Sequence, residues 1–291
     1  MRLSRAIQLL SNPIGLGLIL FSCTTVFPTS QPSKTPELTH QTVKISSKNG
    51  WLPEQAIGNK QYLFHDSSTI SINADSTHTR INITNTIYSV RLSQLNDSLR
   101  FTARVDSLTI ISQASSPEIV PDTGVTQESE AVISPMGQIF SLSGHSFSLC
   151  PGGITPAAAR IHELLVSYPR KALKVGDKWV DTVSTTVCRG KILVLQQTIR
   201  QYNFVSFSAW NRQSAAKILC IASSTLHTDS KNSPKYFSTH GSATSSMVIY
   251  VNQVTGTLLQ SDAHSEATLI VNTSRGVFPF RQIINTHIEL R

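Results

Sequence analysis

The chain has 291 residues, with 25 lysines and arginines against 17 aspartates and glutamates, for a formal charge of +8. Hydrophobic residues make up 40% and charged ones only 14%, enough to build a core beneath a surface rich in Ser, Thr, Asn and Gln. The basic residues are scattered, Arg170, Lys171 and Lys174 being the densest group, and the aromatics Phe204, Phe207 and Trp210 sit in an apolar strand. A nucleic-acid site needs a stripe of charge, interleaved with aromatics for single strands, so that class is excluded.

Arg2 and Arg5 precede a short apolar run, Ile14 to Phe21, that ends at Ser22 and Cys23. A basic segment, an apolar segment and a small residue in that order make an export signal. The run falls short of the roughly 20 apolar residues of a transmembrane helix, and Pro13 interrupts its extension backward. A plain secretory signal fits the same layout and would make Cys23 incidental. Leu20-Phe21-Ser22-Cys23 resembles the lipobox of bacterial lipoprotein signal peptides, Phe21 being bulkier than usual. The resemblance implies cleavage after Ser22, removal of residues 1–22, and acyl chains on Cys23 that anchor the chain in a lipid bilayer. By the same resemblance Thr24, in place of the Asp that retains lipoproteins in the inner membrane, implies the outer membrane of a diderm bacterium. Losing Arg2 and Arg5 leaves 23 basic against 17 acidic side chains.

Residues 23–50 are rich in Thr, Ser, Pro and Lys, with Pro28, Pro32 and Pro36, and read as a tether of about 30 Å average span. A β-rich domain over residues 51–291 is expected to follow. Period-two alternation dominates it. Tyr62–Ile72, Arg80–Leu92 and Leu99–Ile111 read as an antiparallel meander. Residues 112–135, with Pro117, Pro121, Gly124 and Pro135, read as a loop before a strand at Gln138–Leu149. One helix is expected over Pro156–Tyr168. Thr155 caps it, Pro156 suits the first helical position, and Ile161, Leu164 and Leu165 form its apolar face. Strands resume at Trp179–Cys188, Lys191–Phe207, Ala215–Leu226, Ala243–Asn252, Thr257–Val271 and Phe280–Leu290. Turn chemistry at Arg189-Gly190, Asn211-Arg212, Thr255-Gly256 and Arg275-Gly276 separates several of them.

The fold expected is mainly β: a strongly curved antiparallel sheet, half-barrel or sandwich-like, with one amphipathic helix across its concave side. Two halves meeting near residue 150 are compatible with the pattern, without a clean repeat. Along Thr257–Val271 one face carries Leu259, Ser261, Ala263, Ser265, Ala267, Leu269 and Val271. Small residues there leave space for a helix or a cavity. Leu259, Ala263, Ala267 and Leu269, with Ile161 and Leu165 of the helix, are therefore the candidate lining of an apolar ligand pocket. Ordinary core packing explains the same six.

Gly176-Asp177-x-Trp179 entering a strand, then Thr255-Gly256-x-Leu258 and a final alternating strand, resembles uncharacterised β-rich bacterial lipoproteins over Tyr168 to Arg291. That group carries no established activity to transfer. By pattern alone the chain is also similar to the curved-sheet-plus-helix carriers of lipoproteins and lipids in the envelope.

Catalytic and metal motifs are incomplete. Gly144-His145-Ser146-Phe147-Ser148 approaches the Gly-x-Ser-x-Gly elbow of hydrolases but ends in Ser, with no helix following at once. His162-Glu163 opens like His-Glu-x-x-His, but Val166 stands where the second histidine belongs, leaving His162 to face solvent. Asp262, His264 and Glu266 share a strand face that reads as solvated. Cys150, Cys188 and Cys220 fall in no Cys-x-x-Cys and allow three disulfide pairings. No cofactor or metal is expected. The function expected is a membrane-anchored, non-catalytic envelope lipoprotein that binds a lipid-like apolar ligand or an envelope protein. The alternatives are a structural scaffold and a serine hydrolase using Ser146.

Overall fold

The computed structural model describes residues 50–72, 75–112, 118–119, 128–144, 153–189, 192–228, 237–274 and 276–291. The lipobox and Cys23, the tether to residue 49, Ser146 and Cys150 lie outside the described residues. Twelve strands fold into one antiparallel sheet: β1 (Gly58–Ile72), β2 (Asp75–Leu95), β3 (Ser98–Ser112), β4 (Glu118–Ile119), β5 (Ser129–Ile133), β6 (Ile139–Gly144), β7 (Lys178–Arg189), β8 (Ile192–Trp210), β9 (Gln213–Thr228), β10 (Ser238–Asn252), β11 (Leu258–Thr273) and β12 (Gly276–Leu290). Their order is β6-β5-β3-β2-β1-β12-β11-β10-β9-β8-β7, with β4 beside β3. The sheet is a half-barrel, not a sandwich. Its first and last strands pair over most of their length, from Tyr62 with Leu290 to Ile72 with Phe280.

Chain neighbours pair because short turns join them. Asn211 and Arg212 both take positive φ (42° and 65°), as a two-residue hairpin of the sheet's own twist requires, and bring Trp210 opposite Gln213. Within the span expected to be a loop, β5 is a real strand. Ala131 and Ile133 are buried, alternating with partly exposed neighbours, and five residues suffice to pair with β3.

Alternation puts most apolar side chains on the concave face and most charges outside, Asp66 and Arg200 being buried exceptions. On β11 the buried residues are the expected odd-numbered set together with Leu258, Ala263 being partly exposed. The outer face carries Arg281 with Glu266 at 2.6 Å, His287 Nδ1 with Asp262 at 2.6 Å and Arg100 with Glu130 at 3.1 Å. Among the described residues no helix is long and apolar enough to cross a membrane.

The concave face has three zones. One end is an aromatic-rich core holding Trp51, Tyr62, Phe64, Phe101, Tyr168, Trp179, Tyr202 and Phe204. At the other end Leu226, Leu269, Val271 and Phe280 form a smaller apolar cluster. Between them runs a belt of mostly small or polar side chains. Its middle row passes strand by strand through Arg200, Ala222, Ser245, Ser265, Ile284, Ser68 and Asn82, each residue opposite the next. All seven are buried.

The crossover from β6 to β7 carries the helical segment. The single amphipathic helix expected over Pro156–Tyr168 is instead two short turns, α1 (Pro156–Ala159) and α2 (Ile161–Leu164), after which Leu165 is extended. Thr155 does cap the start, its Oγ1 accepting from Ala158 N at 3.1 Å. The segment has no solvent face to keep it amphipathic, since Ile161, His162, Glu163 and Leu164 are all buried. Extension from Leu165 lets Leu165, Val166 and Tyr168 all enter the aromatic core, and Pro169 disfavours helix in the residue before it.

Candidate functional site

A half-barrel leaves two edge strands, here β6 and β7, with α1 packed against β5, β6 and β7. Between the two edges opens a slot of about 270 Å³. One wall is Gly137 to Leu142 on and before β6; the other is Asp181 to Thr186 on β7. Ile154, His162, Leu165, Ser167 and Arg200 line the rest. Gly137 brings the first wall close: it has φ +81° and lies so near Val166 that a Cβ would stand 2.2 Å from the Val166 carbonyl oxygen.

Beneath the slot the crossover is pinned by buried charge. Arg160 donates to both carboxylate oxygens of Asp66 at 2.5 and 3.0 Å, and to Glu163 Oε2 at 2.9 Å. Thr286 Oγ1 donates to Asp66 Oδ1 at 2.6 Å, and the guanidinium also lies 4.5 Å from the Phe64 ring centroid. Burial works against the Arg160 charge, but Asp66 and Glu163 outweigh it and hold its pKa above the usual value. Glu163 is shifted up, because burial outweighs the attraction of Arg160. From the opposite side Arg200 Nη1 donates to the His162 carbonyl at 2.9 Å. The crossover is thus tied to β1 at one end and β8 at the other.

His162 is only 5% exposed, contrary to the solvent-facing position expected of it, and neither ring nitrogen has a hydrogen-bond partner. Burial, reinforced by the Arg200 charge, pushes its pKa down to about 3, so the ring stays neutral. The neighbouring Arg200 in turn pairs across the sheet with Asp181. A neutral imidazole beside a guanidinium and a carboxylate gives the slot donors and an acceptor on an otherwise mixed wall. Sequence reasoning missed this group. The signal was Pro156-to-Leu165 apolar or small nearly throughout, with Arg160, His162 and Glu163 as its interruptions.

The six candidate pocket residues divide. Ile161 and Leu165 belong to the aromatic core, Ala267 and Leu269 to the smaller cluster, and Leu259 is buried outside both. Only Leu165 of the six lines the slot. On β11 the small Ser265 belongs to the buried belt between the two apolar clusters. Cys188 is disulfide-bonded, and Cys220 is buried in the aromatic core. Among the described residues no group of His, Cys, Asp and Glu could hold a metal ion; His264 instead meets Asn285 at 2.5 Å.

No protein-family model and no curated protein matches the chain. Among solved structures, a protein with YmcC-like fold from Bacteroides fragilis aligns with 81% of this chain and 97% of its own, at 10% identity and a TM-score of 0.23. A mutant of the Rh. blastica porin aligns with 80% of this chain and 100% of its own, at 6% identity and a TM-score of 0.21. Similarity at this level carries no argument about the chain's function.

Proposed function

We propose that the chain is a non-catalytic lipoprotein of the cell envelope, anchored in the outer membrane through Cys23, whose β domain binds a ligand or an envelope partner at the slot between β6 and β7. The carrying observation is that slot. It is the place where the sheet stops, where backbone edges, apolar side chains and the buried His162 face one cavity. Ile139, Leu142, Ile154 and Leu165 supply apolar contact, and His162 and Arg200 supply polar orientation, the mixture typical of recognition sites.

Native mass spectrometry of the full-length protein released from detergent tests the reading. A retained mass that leaves on solvent extraction or on partner dissociation is the expected result. A bare protein mass from an intact envelope, with no partner in envelope cross-linking, moves the assignment to a structural scaffold. Ester hydrolysis abolished by Ser146→Ala would replace it with a hydrolase. Cys23→Ser is expected to abolish acyl labelling and shift the protein from the membrane to the soluble fraction.

A further inference from the structure

The β7 edge already accepts a single-residue bridge from its own chain. Ile154 N donates to Thr186 O at 2.8 Å and Cys188 N donates to Ile154 O at 2.8 Å, a parallel bridge on the outer side of β7. These bonds identify Thr186 and Cys188 as residues whose backbone groups point away from β8. Peptide orientation alternates along a strand, so Val180, Thr182 and Ser184 point the same way. Past Ile154 the chain turns off into α1. The N–H and C=O groups of Val180, Thr182 and Ser184 take no partner from outside the β7–β8 ladder among the described residues.

From this geometry we infer that β7 pairs, over Val180 to Ser184, with an extended segment of a partner polypeptide that enters the slot as an added strand. The inference rests on the reading of the slot as a binding site and names its occupant. Val180 to Ser184 spans about 13 Å at the usual strand rise. Alternating donors and acceptors at that spacing are what a peptide backbone presents and what an acyl chain lacks, the basis of recognition by strand addition. The seated Ile154 shows that the outward backbone groups of this edge accept extended backbone. Inward side chains of the guest, lying alongside Asp181 and Val183, enter the part of the slot lined by His162 and Arg200. Specificity then comes from one hydrogen-bonding side chain of the guest, and affinity from its backbone.

The probe is a phage-displayed library of random hexapeptides, selected on the full-length protein in detergent micelles, the best binder then being synthesised. Thr182→Pro removes the outward N–H and leaves the ladder to β8 intact, as proline on an edge strand does. It is expected to weaken the peptide at least tenfold. Ile221→Thr, at an exposed position on β9 outside the slot lining, is expected to change affinity less than twofold. Amide exchange on the wild type supplies a readout independent of the proline variant's folding: bound peptide should slow exchange at Thr182 and Ser184. A selection that enriches nothing, or a bound peptide that leaves both amides fast, overturns the inference. If that happens while a lipid mass is retained in the native spectrum, the binding function stands and the strand is wrong; a bare mass as well removes both.

Discussion

Arg160, in the turn between α1 and α2, and Asp66, in the middle of β1, form a bidentate pair although 94 residues separate them. The pair joins the crossover to a strand near the middle of the sheet, and Thr286 and Glu163 complete it. Two parallel N–H donors on one carboxylate fix orientation as well as distance.

Arg160→Met should therefore do more than remove an attraction. It leaves Asp66 and Glu163 buried without a cation, and breaking one side of a buried ion pair costs about 3–5 kcal/mol. Urea unfolding measures the loss. Replacing the trio together, with Asp66→Leu and Glu163→Met added, is expected to recover most of it. A single variant within 1 kcal/mol of wild type (about a fivefold change in equilibrium) would contradict this account.

His162 sets a pH dependence. Its ordinary pKa of 6.5 applies to the unfolded chain, whereas the folded value is about 3. Between those values the unfolded state binds the extra proton, so stability is full above pH 6.5 and falls as the pH drops towards 3. From pH 7 to pH 5 the loss from this ring is about 2 kcal/mol. Glu163, packed on the same helical turn with its pKa raised, acts in the opposite direction on acidification. The comparison is therefore wild type against His162→Phe at both pH values, by chemical denaturation. The variant should lose less stability than wild type. Equal losses would show that the imidazole is protonated in the folded protein.

Gly241 on β10 sits opposite Leu269, where a Cβ would stand 2.2 Å from the Thr268 carbonyl oxygen and 2.7 Å from Leu269 Cδ2. The clash is partly with backbone, which a rotamer change cannot relieve. Gly241→Ala should cost about 1–3 kcal/mol, as overpacking of a core does, and a thermal melt would register it as a lower Tm.

Trp51 carries the start of the folded chain into the aromatic core. Its ring lies 5.0 Å from Phe204 and 5.6 Å from Tyr168, and Nε1 donates to Gln253 O at 2.7 Å. Trp51→Ala is expected to cost about 3–5 kcal/mol. Trp51→Phe keeps the aromatic contacts and loses the hydrogen bond, so the unfolding midpoints should rank wild type, then Phe, then Ala.

Strand identity was legible in the sequence because one side of the sheet is buried and the other wet. The alternation from Leu259 to Val271 follows directly from that, and so does the pairing of neighbours through turns such as Asn211-Arg212. The helical segment was legible only in outline. Thr155 and Pro156 mark its beginning truthfully, but a helix enclosed on every side loses the period that would measure its length. His162, Glu163 and Arg160 look like a polar helix face in the sequence; in the folded protein they are a buried network, since their partners Asp66 and Arg200 lie on distant strands. The slot was not legible at all. Which strands become edges depends on β1 meeting β12, and no local pattern encodes that meeting. The short β5 was hidden by the prolines around it.

The pairing of β1 with β12 has a topological consequence. Read around the sheet from β7, the strands run 7, 8, 9, 10, 11, 12, 1, 2, 3, 5, 6. Apart from the small excursion of β4, this is a simple up-and-down series whose natural ends are the two sides of the slot. The end of β12 lies beside the beginning of β1, with Leu290 opposite Tyr62. Linking residue 291 to residue 50, so that Trp51 keeps its place in the core, would make a circular permutant without an interrupted series. The lone long-range connection, the crossover that fills the concave side, would become the place to cut. In that rearranged chain the plug would hang from a terminus, held by Arg160, Arg200, the backbone bonds of Ile154 to β7 and the packing around them.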